Sequence, residues 1–231
     1  MNLQQTDDDW EYFGRNDPYW AVVTNEAFRK ENFDEDAREF FFRTGEEYIA
    51  HIFQVIHSMM DAGFTPARAL DFGSGVGRLA IPLAARCGQV VGIDVSESMI
   101  RESRRVIGQR KLTNVDFVKG DDSLSTVQGS FDFINSYIVL QHIPPARGIA
   151  ILQRLVNLLA EGGIGVVHVT YSRSSRYPAA GGKAAAHLTG AGFAVRYGVK
   201  RLYQGVRKRM AAWKKSLGRS GATANCPGPA P

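Results

Sequence analysis

Residues 69–84 read ALDFGSGVGRLAIPLA, and this stretch decides the fold. Apolar Ala69, Leu70 and Phe72 lead into a turn where Asp71, Gly73, Gly75 and Gly77 recur at every second residue, and Leu79, Ala80, Ile81 and Leu83 follow. This is the pattern of a strand passing into a helix through a loop that a small ligand approaches closely, since glycine has no Cβ to collide and accepts positive φ. Four more β-rich runs come after it. VVGIDVSESMI (90–100) ends a short apolar strand at Asp94, 23 residues after Asp71. NVDFVKGDD (114–122) places Val115, Phe117 and Val118 before the acidic pair Asp121 and Asp122. SFDFINSYIVLQHIPP (130–145) carries Phe131, Phe133 and Ile134 to a stop at Asn135, Ser136 and Tyr137. Pro144 then opens a helix over about 146–159, where a missing N–H costs little. In LLAEGGIGVVHVTY (158–171), Gly162 and Gly163 break that helix and a fifth strand spans 164–170. Strands alternating with helices predict an α/β fold: a doubly wound, mainly parallel sheet with right-handed crossovers and helices on both faces. Ligands in such sheets lie beyond the carboxyl ends of the strands, where Asp71 to Gly77, Asp94, Asp121 and Ser136 all fall.

A dinucleotide fingerprint requires Gly or Ala three positions after its second glycine, for tight helix–strand packing. Arg78 stands there instead. The acidic residue two before the first glycine, followed by Gly-x-Gly-x-Gly, resembles the first motif of the class I S-adenosylmethionine-dependent methyltransferases, and the order and spacing of the later runs extend the resemblance over about residues 66–171. It implies a Rossmann-like fold, S-adenosyl-L-methionine as cofactor and methyl transfer to O, N, C or S. It also implies that Asp71, Gly73, Gly75 and Gly77 cradle the methionine half, while Asp94 holds the ribose, both of whose hydroxyls a carboxylate accepts at once. Val95 and Met99 would enclose the adenine, Asp121 or Asp122 would accept its exocyclic amine, and Ser136 would stand where cofactor and acceptor meet. Asp94, Ser96 and Ser98 also read as helix N-caps, and the paired acids as a solvated turn.

A sulfonium methyl is already a good electrophile, so the protein mainly has to hold an acceptor close, aligned and dry. A neutral hydroxyl acceptor must also lose a proton. His142, just past the fourth strand, is the candidate base because imidazole titrates near neutral pH; before Ile143 and Pro144 it also reads as a brace for the turn. Gln141 and Tyr137 suit orientation of either the methionine moiety or the acceptor. His168 reads as a core histidine, and His51 and His57 lack ligand partners in register, so no metal site is expected. The Asn/Asp-Pro-Pro-aromatic motif of many N-methylating relatives is not matched by NSYI (135–138), which argues against nucleobase amines. The leading expectation is O-methylation of a small-molecule or saccharide-like acceptor. Two others stand beside it: a cofactor-binding partner subunit without transfer, and a nucleic-acid methyltransferase.

Three segments are expected: an aromatic lid or cap over 1–45, the cofactor-binding core over 46–171, and a basic extension over 172–231 whose end, SGATANCPGPAP (220–231), has a disordered composition. Trp10, Tyr12, Phe13, Tyr19 and Trp20 are too dense for a solvated tail, and FGRNDPYWAVVT (13–24) resembles the opening of bacterial methyltransferases of saccharide and natural-product tailoring. Phe40, Phe41, Ile49, Ile52, Phe53, Ile56 and Met60 recur at helical steps, predicting a helix over about 34–62 that Gly63 ends. Charge divides sharply: every acid falls at or before Glu161, so of 28 basic and 23 acidic residues the last 70 positions carry +12 and the first 161 carry −7. Val199, Leu202, Tyr203, Val206, Met210, Trp213 and Leu217 form one stripe of a basic amphipathic helix. Such a helix suits reversible contact with an anionic membrane surface or an acidic partner, packing on the chain's own sheet, or, less well, nucleic-acid phosphates. GFAVRYGV (192–199) is the one candidate for a closing strand, so a C-terminal antiparallel pair is not evident and the bare edge favours a homo-oligomer. No apolar run spans a bilayer, the N-terminus is polar and acidic, and Cys87 and Cys226 suggest no disulfide framework. A cytoplasmic protein is expected, with a peripheral place at the inner membrane surface open to the basic helix.

Overall fold

Alternation of side chains divides the hydrophobic residues between two faces of one sheet, as the period of two in a strand requires. In the computed structural model, which describes residues 3–169 and 193–196, five parallel strands are β1 (Arg68–Phe72), β2 (Gln89–Asp94), β3 (Val115–Lys119), β4 (Phe131–Ser136) and β5 (Leu159–Val167). Their order is β3-β2-β1-β4-β5, and a sixth strand, β6 (Phe193–Arg196), pairs antiparallel with β5 at the margin. Ala69, Val90 and Phe133 enter one core, and their neighbours Leu70, Val91 and Ile134 the other. Helices α3 (Glu35–Met59) and α5 (Glu97–Arg110) cover the first face through Phe41, Ile49, Phe53, Met99 and Val106; α6 (Pro145–Asn157) covers the second through Ile151 and Leu155. The mainly parallel, doubly wound sheet with helices on both faces is therefore present.

The remaining helices are α1 (Leu3–Asn16), α2 (Pro18–Val22) and the short α4 (Ala80–Leu83). Asp34 starts α3 by accepting the Ala37 N–H at 2.8 Å, and the helix runs unbroken across residue 45, where the lid had been expected to end. Two details differ from the sequence reading. Asn135 and Ser136 belong to β4 instead of stopping it, because Asn135 is paired in register with Asp71 of β1. Gly162 and Gly163 lie inside β5, not at a helix end: α6 closes at Leu158, and the register shift between Phe131 and Phe133 brings Gly163 so close to β4 that a Cβ would meet the Phe131 carbonyl oxygen at 3.1 Å. GFAVRYGV supplies β6, and among the described residues no second closing strand follows it. The basic amphipathic helix and the tail lie outside the described residues. Among those described, no helix is long and apolar enough to cross a membrane.

Candidate functional site

The strand order reverses at β1, whose neighbours β2 and β4 depart to opposite sides, and a crevice opens there beyond the strand ends. A cleft of about 1080 Å³, counting its part open to solvent, occupies that place. Its floor is the glycine turn. Gly73, Gly75 and Gly77 all have positive φ (+74°, +53° and +87°), which fixes glycine at each. The turn is laced internally: the Gly73 and Ser74 N–H groups both donate to the Ile93 carbonyl, and that of Gly77 to the Ser74 carbonyl. Gly75 N–H donates to Asp94 Oδ2 at 2.8 Å, while Asp94 Oδ1 accepts the Ser96 N–H at 2.9 Å, so one carboxylate ties the turn to the start of α5. Burial pushes Asp94 up, and the Ser96, Gly75 and Val95 N–H groups pull it back. Beneath the turn, buried Asp71 accepts the Asn135 amide at 2.7 Å, and burial, outweighing that bond, moves its carboxyl up to about 7.

The N-terminal segment forms the opposite wall. Val22 of α2 and Val139 occupy the space that a Cβ at Gly75 and at Gly73 would need, and both line the cleft. Helix α1 crosses the start of α5 so closely that a Cβ on Gly14 would lie 2.5 Å from Ser96 Oγ. There Glu11 accepts from Ser96 Oγ (2.8 Å), Ser98 N–H (3.1 Å) and Ser98 Oγ (2.7 Å); burial opposes its charge, but the serine bonds prevail and its carboxyl falls to about 2. At the other end of the cleft Arg147 of α6 pairs with Asp122 at 2.7 Å and with Asp7 of α1 at 2.8 Å. Trp10 meets the His142 ring edge to face, 5.2 Å between centroids, and burial lowers the imidazole below its ordinary value.

Of the residues singled out from sequence, Asp71, Gly73, Gly75, Asp94, Val95, Met99, Asp121, Asp122 and His142 come together around this cleft. Gly77 shapes the turn from below, against Phe117, and Ser136 is fully buried behind the wall that Tyr137, Ile138 and Val139 present. Asp121 faces the cleft but is folded onto its own turn by Ser123 and Ser125, whose bonds hold its carboxyl at about 2. Reading the sequence missed Glu11, Arg147 and Asn135. Glu11 meets Ser96 and Ser98 85 and 87 residues away, Arg147 meets Asp122 and Asp7 25 and 140 residues away, and no local pattern announces them.

A glycine turn at the switch point of a parallel sheet, tied to a carboxylate at the end of the second strand, defines a nucleotide-cofactor-binding domain of the Rossmann-like class. Residues 69–163 match the family described as a methyltransferase domain. Over these residues the chain is similar to the class I S-adenosylmethionine-dependent methyltransferases. The chain is 36% identical over 97 residues to the biotin biosynthesis bifunctional protein BioHC of Cellvibrio japonicus, covering 42% of this chain and 18% of that one. It is 29% identical over 119 residues to the ubiquinone biosynthesis O-methyltransferase of Acinetobacter baylyi, covering 50% and 47%. The chain thus spans less than half the length of these curated relatives. Among solved structures, the magnesium protoporphyrin IX methyltransferase of Synechocystis with bound SAH shares the fold, with a TM-score of 0.53 at 21% identity over 72% of this chain and 71% of that one. So does phosphoethanolamine N-methyltransferase 1 of Haemonchus contortus, with a TM-score of 0.57 at 18% identity over 89% and 40%.

Proposed function

We propose that the chain binds S-adenosyl-L-methionine in this cleft and directs its methyl group to an oxygen of a small-molecule or saccharide-like acceptor. The observation that carries the reading is the glycine turn held to Asp94, within residues that match a methyltransferase domain. The residues present fit the cofactor. Asp94 accepts one backbone N–H at each oxygen and keeps further lone pairs for two ribose hydroxyls, Val95 and Met99 offer apolar walls, and the glycines leave the backbone bare. When bound, the cofactor supplies a methyl group on positively charged sulfur. The acidic pair takes part as the rim beside the adenine, with Asp122 fixed by Arg147 and Asp121 by its serines.

Helix α1, through Trp10, shields the cleft from water, which sharpens the electrostatics inside. His142 is the base: depressed by burial, it is neutral at physiological pH and able to accept a hydroxyl proton. Oxygen as the acceptor atom is supported by the ubiquinone biosynthesis O-methyltransferases among the relatives.

The test is to incubate the purified chain with methyl-labelled cofactor and a cell extract divided into small-molecule, lipid, protein and nucleic-acid fractions. Label is expected in the small molecules, and His142→Ala should reduce it about 100-fold while S-adenosylhomocysteine still binds. Label in nucleic acid, or cofactor binding with no label anywhere, would overturn the reading.

A further inference from the structure

Among the described residues, Lys111, Leu124 and Ile138 have positive φ without being glycine. Two of them are accounted for locally. Lys111 closes α5 and donates its N–H to the Gly108 carbonyl, while buried Leu124 sits in a turn where it donates to the Asp121 carbonyl and accepts the Val127 N–H. Ile138, at φ +61°, has no such reason: it is β-branched, 36% exposed, and forms no hydrogen bond among the described residues. A branched Cβ is crowded in the left-handed region, and such strain persists only where the surroundings over-determine it, most often beside a ligand.

The flanking residues hold it there. Ser136 is fully buried and its carbonyl accepts the His168 N–H at 2.8 Å, and Tyr137 lies against the Tyr48 ring at 4.3 Å between centroids and against His168 at 5.3 Å. On the other side Val139 packs where a Cβ on Gly73 would stand, and its carbonyl accepts the His142 N–H at 2.9 Å. The left-handed turn between these anchors puts an aliphatic side chain on the cleft wall in the loop that leads to His142, and Trp10, which meets that imidazole, lines the same cleft. Charged groups nearby are taken up within the protein: Arg147 by Asp7 and Asp122, and Asp121 by its serines. An apolar ring suits such walls better than a polyol, whose hydroxyls each need a partner once out of water.

We propose that Ile138 is a specificity-determining residue that meets the non-reacting part of the methyl acceptor, and that this acceptor is a hydroxyl compound built on an apolar ring, such as a phenol, in preference to a polyol. Contact with the part of a substrate that does not react supplies binding energy that orients the part that does, so the strained residue and the base that follows it act on one molecule. The inference rests on the reading above, that an oxygen is methylated in this cleft.

The full chain, methyl-labelled S-adenosyl-L-methionine and the small-molecule fraction of a cell extract test it, with the products separated on a reversed-phase column. Wild-type label should appear in retained, ring-bearing compounds. Ile138→Gly and Ile138→Asn accept the left-handed backbone, so both should unfold no earlier than the wild type and bind S-adenosylhomocysteine with unchanged affinity, yet label those compounds about 10-fold less or lower still. Ile138→Leu, which keeps the apolar bulk, should retain most of the labelling. Label in unretained polyols, full labelling by Ile138→Gly, or a marked fall in its thermal midpoint or in its affinity for S-adenosylhomocysteine would overturn the assignment to Ile138. A wild type that binds S-adenosylhomocysteine but labels nothing would defeat the proposed methyl transfer itself, and this inference with it.

Discussion

Asp94 holds Gly75 and Ser96 with the same two oxygens that are proposed to meet a ribose. Its removal therefore acts on folding as well as binding. Asp94→Ala leaves two backbone N–H groups without partners and is expected to lower unfolding free energy by about 2–4 kcal/mol, along with a loss of cofactor affinity of about 10-fold or more. Urea unfolding and calorimetry on the same variant separate the two effects; unaltered stability would show that the backbone bonds are dispensable. The spacing from Asp71 made Asp94 legible as a residue at the strand end, where it lines the cleft. Its structural bonds were not legible, since sequence shows which side chains are polar but not which donors lie opposite them. Arg78 illustrates the same gap: its place in the motif excludes a dinucleotide fingerprint, yet nothing in the string shows that it is buried with an unmatched Nε.

Helix α1 owes its position to charge as much as to its aromatic face. Glu11 caps the start of α5, and Asp7 reaches Arg147 on α6. Because the Glu11 carboxyl is lowered to about 2 when folded, its contribution is complete above its unfolded value near 4.5 and disappears as pH falls from there towards 2. Urea midpoints of the wild type and Glu11→Gln should thus differ by the equivalent of about 2 kcal/mol near pH 7, draw together below pH 4.5 and converge only near pH 2. A gap that persists in acid would mean that the serine bonds do not depend on the charge. The aromatic density of residues 10–33 made a docked segment legible, and Tyr19 and Phe33 do stack at 3.9 Å beneath α2. The direction of docking was not legible, because it is set by partners far along the chain.

Taken as a whole, the molecule puts its sheet between two cores and its cleft at the reversal of strand order. A ligand that binds only this folded arrangement must stabilise it. At 100 times its dissociation constant S-adenosylhomocysteine should add about 2.7 kcal/mol, which raises the thermal midpoint of a domain of this size by about 5–10 °C. An unchanged midpoint at that concentration would count against the cleft as a binding site. The doubly wound, mainly parallel architecture was legible because alternating strands and helices admit few topologies; the early start of β5 and the pairing of β6 were not, since a bulge and a marginal strand depend on neighbours in space. The join between β1 and β4 has a further consequence. It unites Asp71 with Asn135, 64 residues on, so an emerging chain completes β1, β2 and β3 well before the strand that must lie on β1's other flank exists. Closing so large a loop is slow, and until it closes the half-made sheet offers β1 as a landing place for chaperones or for another nascent copy.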